Sequence, residues 1–192
     1  MEALFIDAKW KGEISFNKDM IDYLKDKKPR SVALFASVQF LELDKIIKQL
    51  KELNIKILTT KAKRTDKEIQ ILGCDTYHDS FANDIIKKAD LTIYIGDGLF
   101  HPQALLYSQI SAIKDILVWN PINRRMSFVT KREIFDKLRK LKANIKRYMF
   151  AKSIGIIVTT KPGQQFLNNA VKLKSKLEKE NKKAFIFLAA SE

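Results

Sequence analysis

SVALFASVQFLELDKIIKQLKELNIKILTT, residues 31–60, decides the fold. Its first eight residues (31–38) form an apolar run rich in branched side chains and read as a strand. Leu41, Leu43, Ile46, Ile47, Leu50 and Leu53 then recur at the spacing of one helix face, and 55–59 (IKILT) is a second strand. Strand–helix–strand alternation with near-continuously apolar strands predicts an α/β fold whose parallel sheet is covered by helices on both faces. Two further runs, 91–95 (LTIYI) and 115–119 (DILVW), extend that sheet. Beyond them a long helix is expected over 134–150, with Ile134, Leu138, Leu141, Ile145 and Tyr148 on one stripe. A strand at 153–160 (SIGIIVTT), a helix at 165–180 and a strand at 184–190 (AFIFLAA) follow.

The stretches beginning at Ser31 and Ser153 match as an internal repeat. Each is an apolar strand, a loop ending Gln-Phe-Leu (39–41 and 165–167), a basic amphipathic helix and a second strand. A fainter match links ALFIDAKWKGEISF (3–16) with ILVWNPINRRMSF (116–128), both running from a strand through a turn to Ser-Phe. The chain thus reads as pseudo-repeated parallel-sheet units: the tail of a first unit (1–28), a complete middle unit (29–130), and a connecting helix with the first half of a third (131–192). Cys74 lies 35 residues after Gln39. The equivalent places in the flanking units fall before Met1 and after Glu192, so partner cysteines are expected outside this sequence.

With 192 residues, 46% of them hydrophobic, the chain can bury a core without disulfides or a structural metal. One cysteine excludes an intramolecular disulfide and a multi-cysteine zinc site. The first residues lack a basic stretch followed by a long apolar run, and no run approaches the ~18 residues a membrane helix needs. A soluble cytoplasmic protein is expected. The net charge of +14 invites a nucleic-acid partner. The excess is mostly lysine spread over helix faces, however, without the arginines and aromatics that pair with base edges or stack on bases. A solvated surface is the favoured reading, and no nucleic-acid role is assigned.

Three segments carry chemistry. Cys74, in IQILGCDTYH, follows a short apolar run and Gly73, which places it in the loop at the C-terminal end of a strand, where open α/β sheets bind ligands. A lone cysteine is commonly a small buried hydrophobe; the polar residues after this one argue against that. Gly96-Asp97-Gly98-Leu99-Phe100-His101-Pro102 follows the strand LTIYI. Its two glycines admit a close ligand, and Asp97 and His101 add a carboxylate and an imidazole, although such turns often only redirect the chain. Thr159-Thr160-Lys161-Pro162-Gly163-Gln164-Gln165 lies between strand and helix, where free N–H groups and a lysine suit a carboxylate or phosphate.

Taken in order, LGC, GDGLFH, WNP, TTKPGQQ and a closing SE resemble the diphthamide-synthesis family of 3-amino-3-carboxypropyl transferases, over nearly the whole chain. The resemblance implies a three-domain architecture with one cysteine per domain, the first and third domains being incomplete here. It implies that three thiolates hold a [4Fe–4S] cluster with one open iron site, which binds S-adenosylmethionine (SAM) as substrate. The reduced cluster cleaves SAM to a radical that is transferred to a histidine of translation elongation factor 2. Thiolates suit so soft a centre. On this resemblance Cys74 is a cluster ligand, and Gly96, Asp97, Gly98, His101, Lys161, Gly163 and Gln164 line the SAM pocket. Asn120-Pro121 stands where the family usually has Asp-Pro, and Lys161–Gln164 matches a loop of the archaeal members. The expected cofactor needs cysteines absent from this sequence. The expected partners are elongation factor 2, a reducing protein, and either chains supplying the missing units or further copies of this one. The chain would be a fragment or short-form subunit, inactive alone. Two alternatives stay open: a non-catalytic scaffold relative, and a nucleotide- or phosphate-binding α/β module.

Overall fold

A computed structural model describes residues 9–160 and 165–189. The chain divides into two compact units, residues 1–135 and 136–192. The first opens with helix α1 (Lys18–Lys27), whose N-cap Asn17 side chain accepts from the Met20 amide at 3.0 Å. There follow β1 (Ser31–Ala36), α2 (Asp44–Glu52), β2 (Lys56–Leu58), the short helix α3 (Ile85–Lys88), β3 (Leu91–Ile95), α4 (Phe100–Ser108), β4 (Ile116–Asn120) and β5 (Arg125–Val129). The sheet order is β2-β1-β3-β4-β5. The first four strands run parallel, and the three inner ones, β1, β3 and β4, are buried almost end to end.

Alternate residues of each central strand serve opposite faces. Val32, Leu34 and Ala36, with Ile93, Ile95, Leu117 and Trp119, form one core with Met20 and Leu24 of α1 and Ile46 and Leu50 of α2. Ile14 and Phe16 join the same core, Phe16 edge-on to Trp119 at 5.7 Å between centroids. Residues 14–24, from the segment read from sequence as the tail of a preceding unit, therefore pack on this sheet. On the opposite face lie Phe35, Tyr94, Ile116 and Val118, with Phe81 against Phe35 at 5.6 Å.

Two expectations need correction. The sheet is not wholly parallel: β5 pairs antiparallel with β4 at the edge, Asn120 opposite Arg125. Its half-exposed sequence, RMSFV, lacks the apolar continuity that marks the other strands. The apolar run before Cys74 is not a strand, because only Gln70 bridges Ala36. The stripe of the long helix is buried only at Ile134; Leu141, Ile145 and Tyr148 are exposed.

The second unit contains most of α5 (Lys131–Phe150), then β6 (Ser153–Thr159), α6 (Leu167–Lys179) and β7 (Lys183–Ala189). β6 and β7 form a two-stranded parallel sheet, Ser153 opposite Lys183. The Lys182 ammonium donates to the carbonyls of Tyr148, Met149 and Ala151 at 3.3, 2.9 and 2.8 Å. A cation is thereby placed at the negative end of α5.

Candidate functional site

The order 2-1-3-4-5 reverses direction between β1 and β3: the chain leaves β1 for β2 on one side and later returns to β3 on the other. Open α/β sheets bind ligands outside the carboxyl ends of the strands at such a switch point. Both sequence-selected motifs of the first unit arrive there. The Ser37 amide, just past β1, donates to the Ile95 carbonyl at the end of β3 at 3.0 Å. Gly96, Asp97 and Gly98 then turn the chain into α4, whose first residues are Phe100 and His101. Pro102 falls in the first turn of that helix, where its missing N–H costs nothing.

The Cys74 loop is held to the same end of the sheet by backbone hydrogen bonds. Ala36 donates to Ile69 at 2.9 Å and accepts from Ile71 at 3.1 Å. Ile69 takes φ 72°, a left-handed conformation costly for a β-branched residue, about 1–3 kcal/mol. Beyond it, Leu72 accepts from the Asp75 amide in a tight turn. The buried Asp75 carboxylate accepts from the Arg64 amide at 2.6 Å. The Thr76 carbonyl accepts from the Ser108 hydroxyl at 2.6 Å and the buried Gln109 amide at 2.9 Å, both from the end of α4 and its cap. Within this clamped turn Cys74 is exposed, so it is not the buried hydrophobe that a lone cysteine commonly is.

The two motifs meet through Phe100. Its ring lies so close over Gly73 that an added Cβ would stand 2.3 Å from it. Gly73, Thr76, Tyr77, Phe100, Gln103 and Tyr107 line a cleft of about 430 Å³ beside the cysteine. A second hollow of about 290 Å³ runs along Gly96, Asp97 and Gly98 to Asn120 and Arg125. Between strand and helix, His101 stacks on Tyr94 at 6.3 Å. Burial pushes the Tyr94 phenol up to about 12; a hydrogen bond with Ser37 pulls it back, and the Asp97 charge adds to the rise. Burial lowers the His101 imidazole below its ordinary value, partly offset by Asp97. Both rings are thus uncharged at pH 7, and the buried Tyr94 backs the half-buried His101.

Of the residues singled out in the sequence, Cys74, Gly96, Asp97, Gly98 and His101 share this end of the first unit. Lys161, Gly163 and Gln164 lie outside the described residues, as do Ser191 and Glu192. Sequence reasoning missed Asp75, Thr76, Tyr94, Ser108 and Gln109. The paired Ser108-Gln109 after an apolar helix was the one available signal for that clamp.

A cluster of the [4Fe–4S] type is held by several cysteine thiolates. Among the described residues no three of His, Cys, Asp or Glu converge as a metal site, and the sequence has one cysteine. These residues fit a single ligand, not the whole cluster. Among the described residues no helix is long and apolar enough to cross a membrane.

Comparison with known proteins gives a coherent picture. The 2-(3-amino-3-carboxypropyl)histidine synthase of Pyrococcus horikoshii is 29% identical over 116 residues, 60% of this chain and 30% of that one. The crystal structure of Dph2 from Pyrococcus horikoshii superimposes with a TM-score of 0.66 at 24% identity, covering 89% of this chain and 47% of that one. A second structure of Dph2, with a 4Fe-4S cluster, gives 0.67 at 25%, covering 91% and 48%. The chain spans less than half the length of each of these relatives. The model of the diphthamide synthesis protein family matches residues 1–191, and the chain belongs to that family.

Proposed function

We propose that this chain acts in the first step of diphthamide biosynthesis, transfer of the 3-amino-3-carboxypropyl group of SAM to a histidine of translation elongation factor 2. It acts as one part of an assembly. Cys74 supplies one ligand of a [4Fe–4S] cluster whose other thiolates come from chains carrying the remaining units. Gly96, Asp97, Gly98 and His101 line the SAM pocket beside it, with Lys161, Gly163 and Gln164 as further lining residues. The pseudo-repeat and its boundaries at 28 and 130 belong to the same reading, as do a reducing protein and a cytoplasmic setting. The observation that carries it is the convergence of an exposed thiol and the Gly-Asp-Gly turn at one switch point, within a chain matched by the family along its length.

The test is anaerobic purification of the tagged chain with the polypeptides that bind it in its own cells. Iron and sulfide are then measured, together with transfer of label from carboxypropyl-labelled SAM to elongation factor 2. Labelled factor is expected with the wild type and none with Cys74→Ser. Labelling that survives this substitution overturns the assignment. The presence of one thiol also favours a second reading, a scaffold subunit that keeps the fold beside a complete enzyme. In that case iron and label remain unchanged in the variant complex.

A further inference from the structure

We infer that the end of the first unit's sheet where its parallel strands begin, opposite the Cys74 site, binds a single-stranded nucleic acid through its phosphates. Connections that enter parallel strands lie at one end of a sheet and those that leave them at the other. Lys28 and Arg30 precede β1, Lys56 opens β2, and Lys88 closes α3 before β3. Hydrogen bonds hold the last three side by side. The Arg30 carbonyl accepts from the Lys56 amide at 2.9 Å, and the Arg30 amide donates to the Asp90 carboxylate at 2.8 Å. The Ser31 hydroxyl donates to the Lys88 carbonyl at 3.4 Å. Strands β2, β1 and β3 are neighbours in that order, about 4.8 Å apart, so these cations form a row. Lys28 and Lys88 stand 60 positions apart in sequence, and the row exists only in the folded chain.

Lys25 and Lys27, in the last turn of α1, widen the row, and all six basic residues are exposed. None of them makes an ion pair among the described residues; Lys27 lies over the Tyr23 ring at 5.9 Å. A helix C-terminus accounts for cations at 25, 27 and 88. Arg30 and Lys56 lie outside any helix, and no contact in the fold calls for their charge. Residues 25–30, 56 and 88–90 hold six cations against two carboxylates, Asp26 and Asp90, and the second is tied to the Arg30 and Ser31 amides.

Shape and composition select the occupant. Two hollows of about 310 and 350 Å³ flank the ridge Lys28-Pro29-Arg30. The Lys28 amide donates to the Leu24 carbonyl at 2.9 Å and Pro29 fixes the next φ, so the ridge is stiff. No large apolar side chain lining the hollows is exposed: Leu24 and Ile55 are buried, and Tyr23, Leu53 and Leu91 are half-buried. A protein partner needs apolar or aromatic anchors at the centre of its interface, where lysine is depleted. Phosphate contacts need charge alone, which lysine supplies. A duplex is stiff over about 150 base pairs and cannot follow a ridge between hollows, whereas a single strand bends over it.

The experiment titrates the full chain into a fluorescein-labelled oligouridylate of about 20 nucleotides, read by anisotropy from about 50 to about 200 mM salt. Binding is expected with a Kd of about 10 µM at low salt and a log–log salt slope of about −3, as about four phosphate contacts to a single strand imply. The triple variant Lys28→Gln, Arg30→Gln, Lys56→Gln weakens binding at least about tenfold and makes the slope about 2 shallower. Lys142→Gln, Lys146→Gln, Lys172→Gln changes net charge equally and weakens binding less than about twofold. Circular dichroism checks that both variants fold. In the wild type, the oligonucleotide shifts the amide NMR signals of Lys28, Arg30, Lys56 and Lys88 and leaves those of 73–77 and 96–101 in place. Equal loss from the two triple variants, shifts confined to other residues, or no binding at the lowest salt would overturn the inference. So would a duplex of the same length binding more tightly, or a labelled polyglutamate binding as tightly, which would mark an acidic protein as the partner. Transfer activity enters none of these readouts, so failure here leaves the proposed chemistry standing, and the reverse holds as well.

Discussion

An exposed thiol contributes little to folding, and this separates the two roles open to Cys74. Cys74→Ser is expected to change stability by less than about 0.5 kcal/mol, because nothing buried is removed. Equal melting temperatures of the two forms, alongside loss of iron in the assembly, would mark a ligand. Early melting with iron retained would mark a structural residue. The neighbouring glycines behave differently from each other. At Gly96 an added Cβ would stand 2.5 Å from the buried Tyr94 ring, so Gly96→Ala should cost about 1–3 kcal/mol, read by thermal denaturation. At Gly73 the obstacle is the exposed Phe100 ring, which can swing away. Gly73→Ala should therefore cost less than about 1 kcal/mol and open the cleft. His101 adds a pH dependence. Its folded value lies below the ordinary 6.5, so the unfolded chain binds the proton more readily. Its contribution to stability is complete above pH 6.5 and is lost as pH falls through the depressed folded value. Removing the imidazole with His101→Gln should flatten that acid limb of the melting curve.

At the scale of elements, Lys182 ties the start of β7 to the end of α5. Lys182→Met should cost about 0.3–1 kcal/mol, the usual worth of a cation at a helix C-terminus, and show first as faster amide exchange near 148–151. Elements were legible in the sequence where burial was one-sided or complete. LTIYI was read at its full length because both its faces are covered, and its four other residues are large and apolar or aromatic around the buried Thr92. β5 was not, because an edge strand that is largely exposed resembles a loop in sequence. The stripe on α5 was seen correctly as a stripe, yet periodicity cannot say whether anything covers it. The site divides similarly. Gly-Asp-Gly and Cys74 stood out as residue types, whereas the clamp on Thr76 comes from residues more than 30 positions away and has no local signal.

For the whole molecule, the two units should not share one transition. The first buries apolar side chains on both faces of a five-stranded sheet, and the second on one face of two strands. Calorimetry of the isolated chain is expected to show the second unit melting first, as smaller buried area implies. Anaerobic reconstitution of the chain alone should yield no stable cluster, since one thiolate leaves three irons without protein ligands. One cluster per chain surviving gel filtration would contradict this.

The clamped turn also bears on how this sequence can drift. At 73 a ring sits against the backbone, at 75 a buried carboxylate closes the turn, and at 76 a carbonyl takes two donors from α4. Each of these positions answers to the fold. Position 74, between them, is exposed, so mutation there costs folding little. Selection for stability has no grip on it, and a cysteine that persists at 74 across diverging lineages would persist for its sulfur.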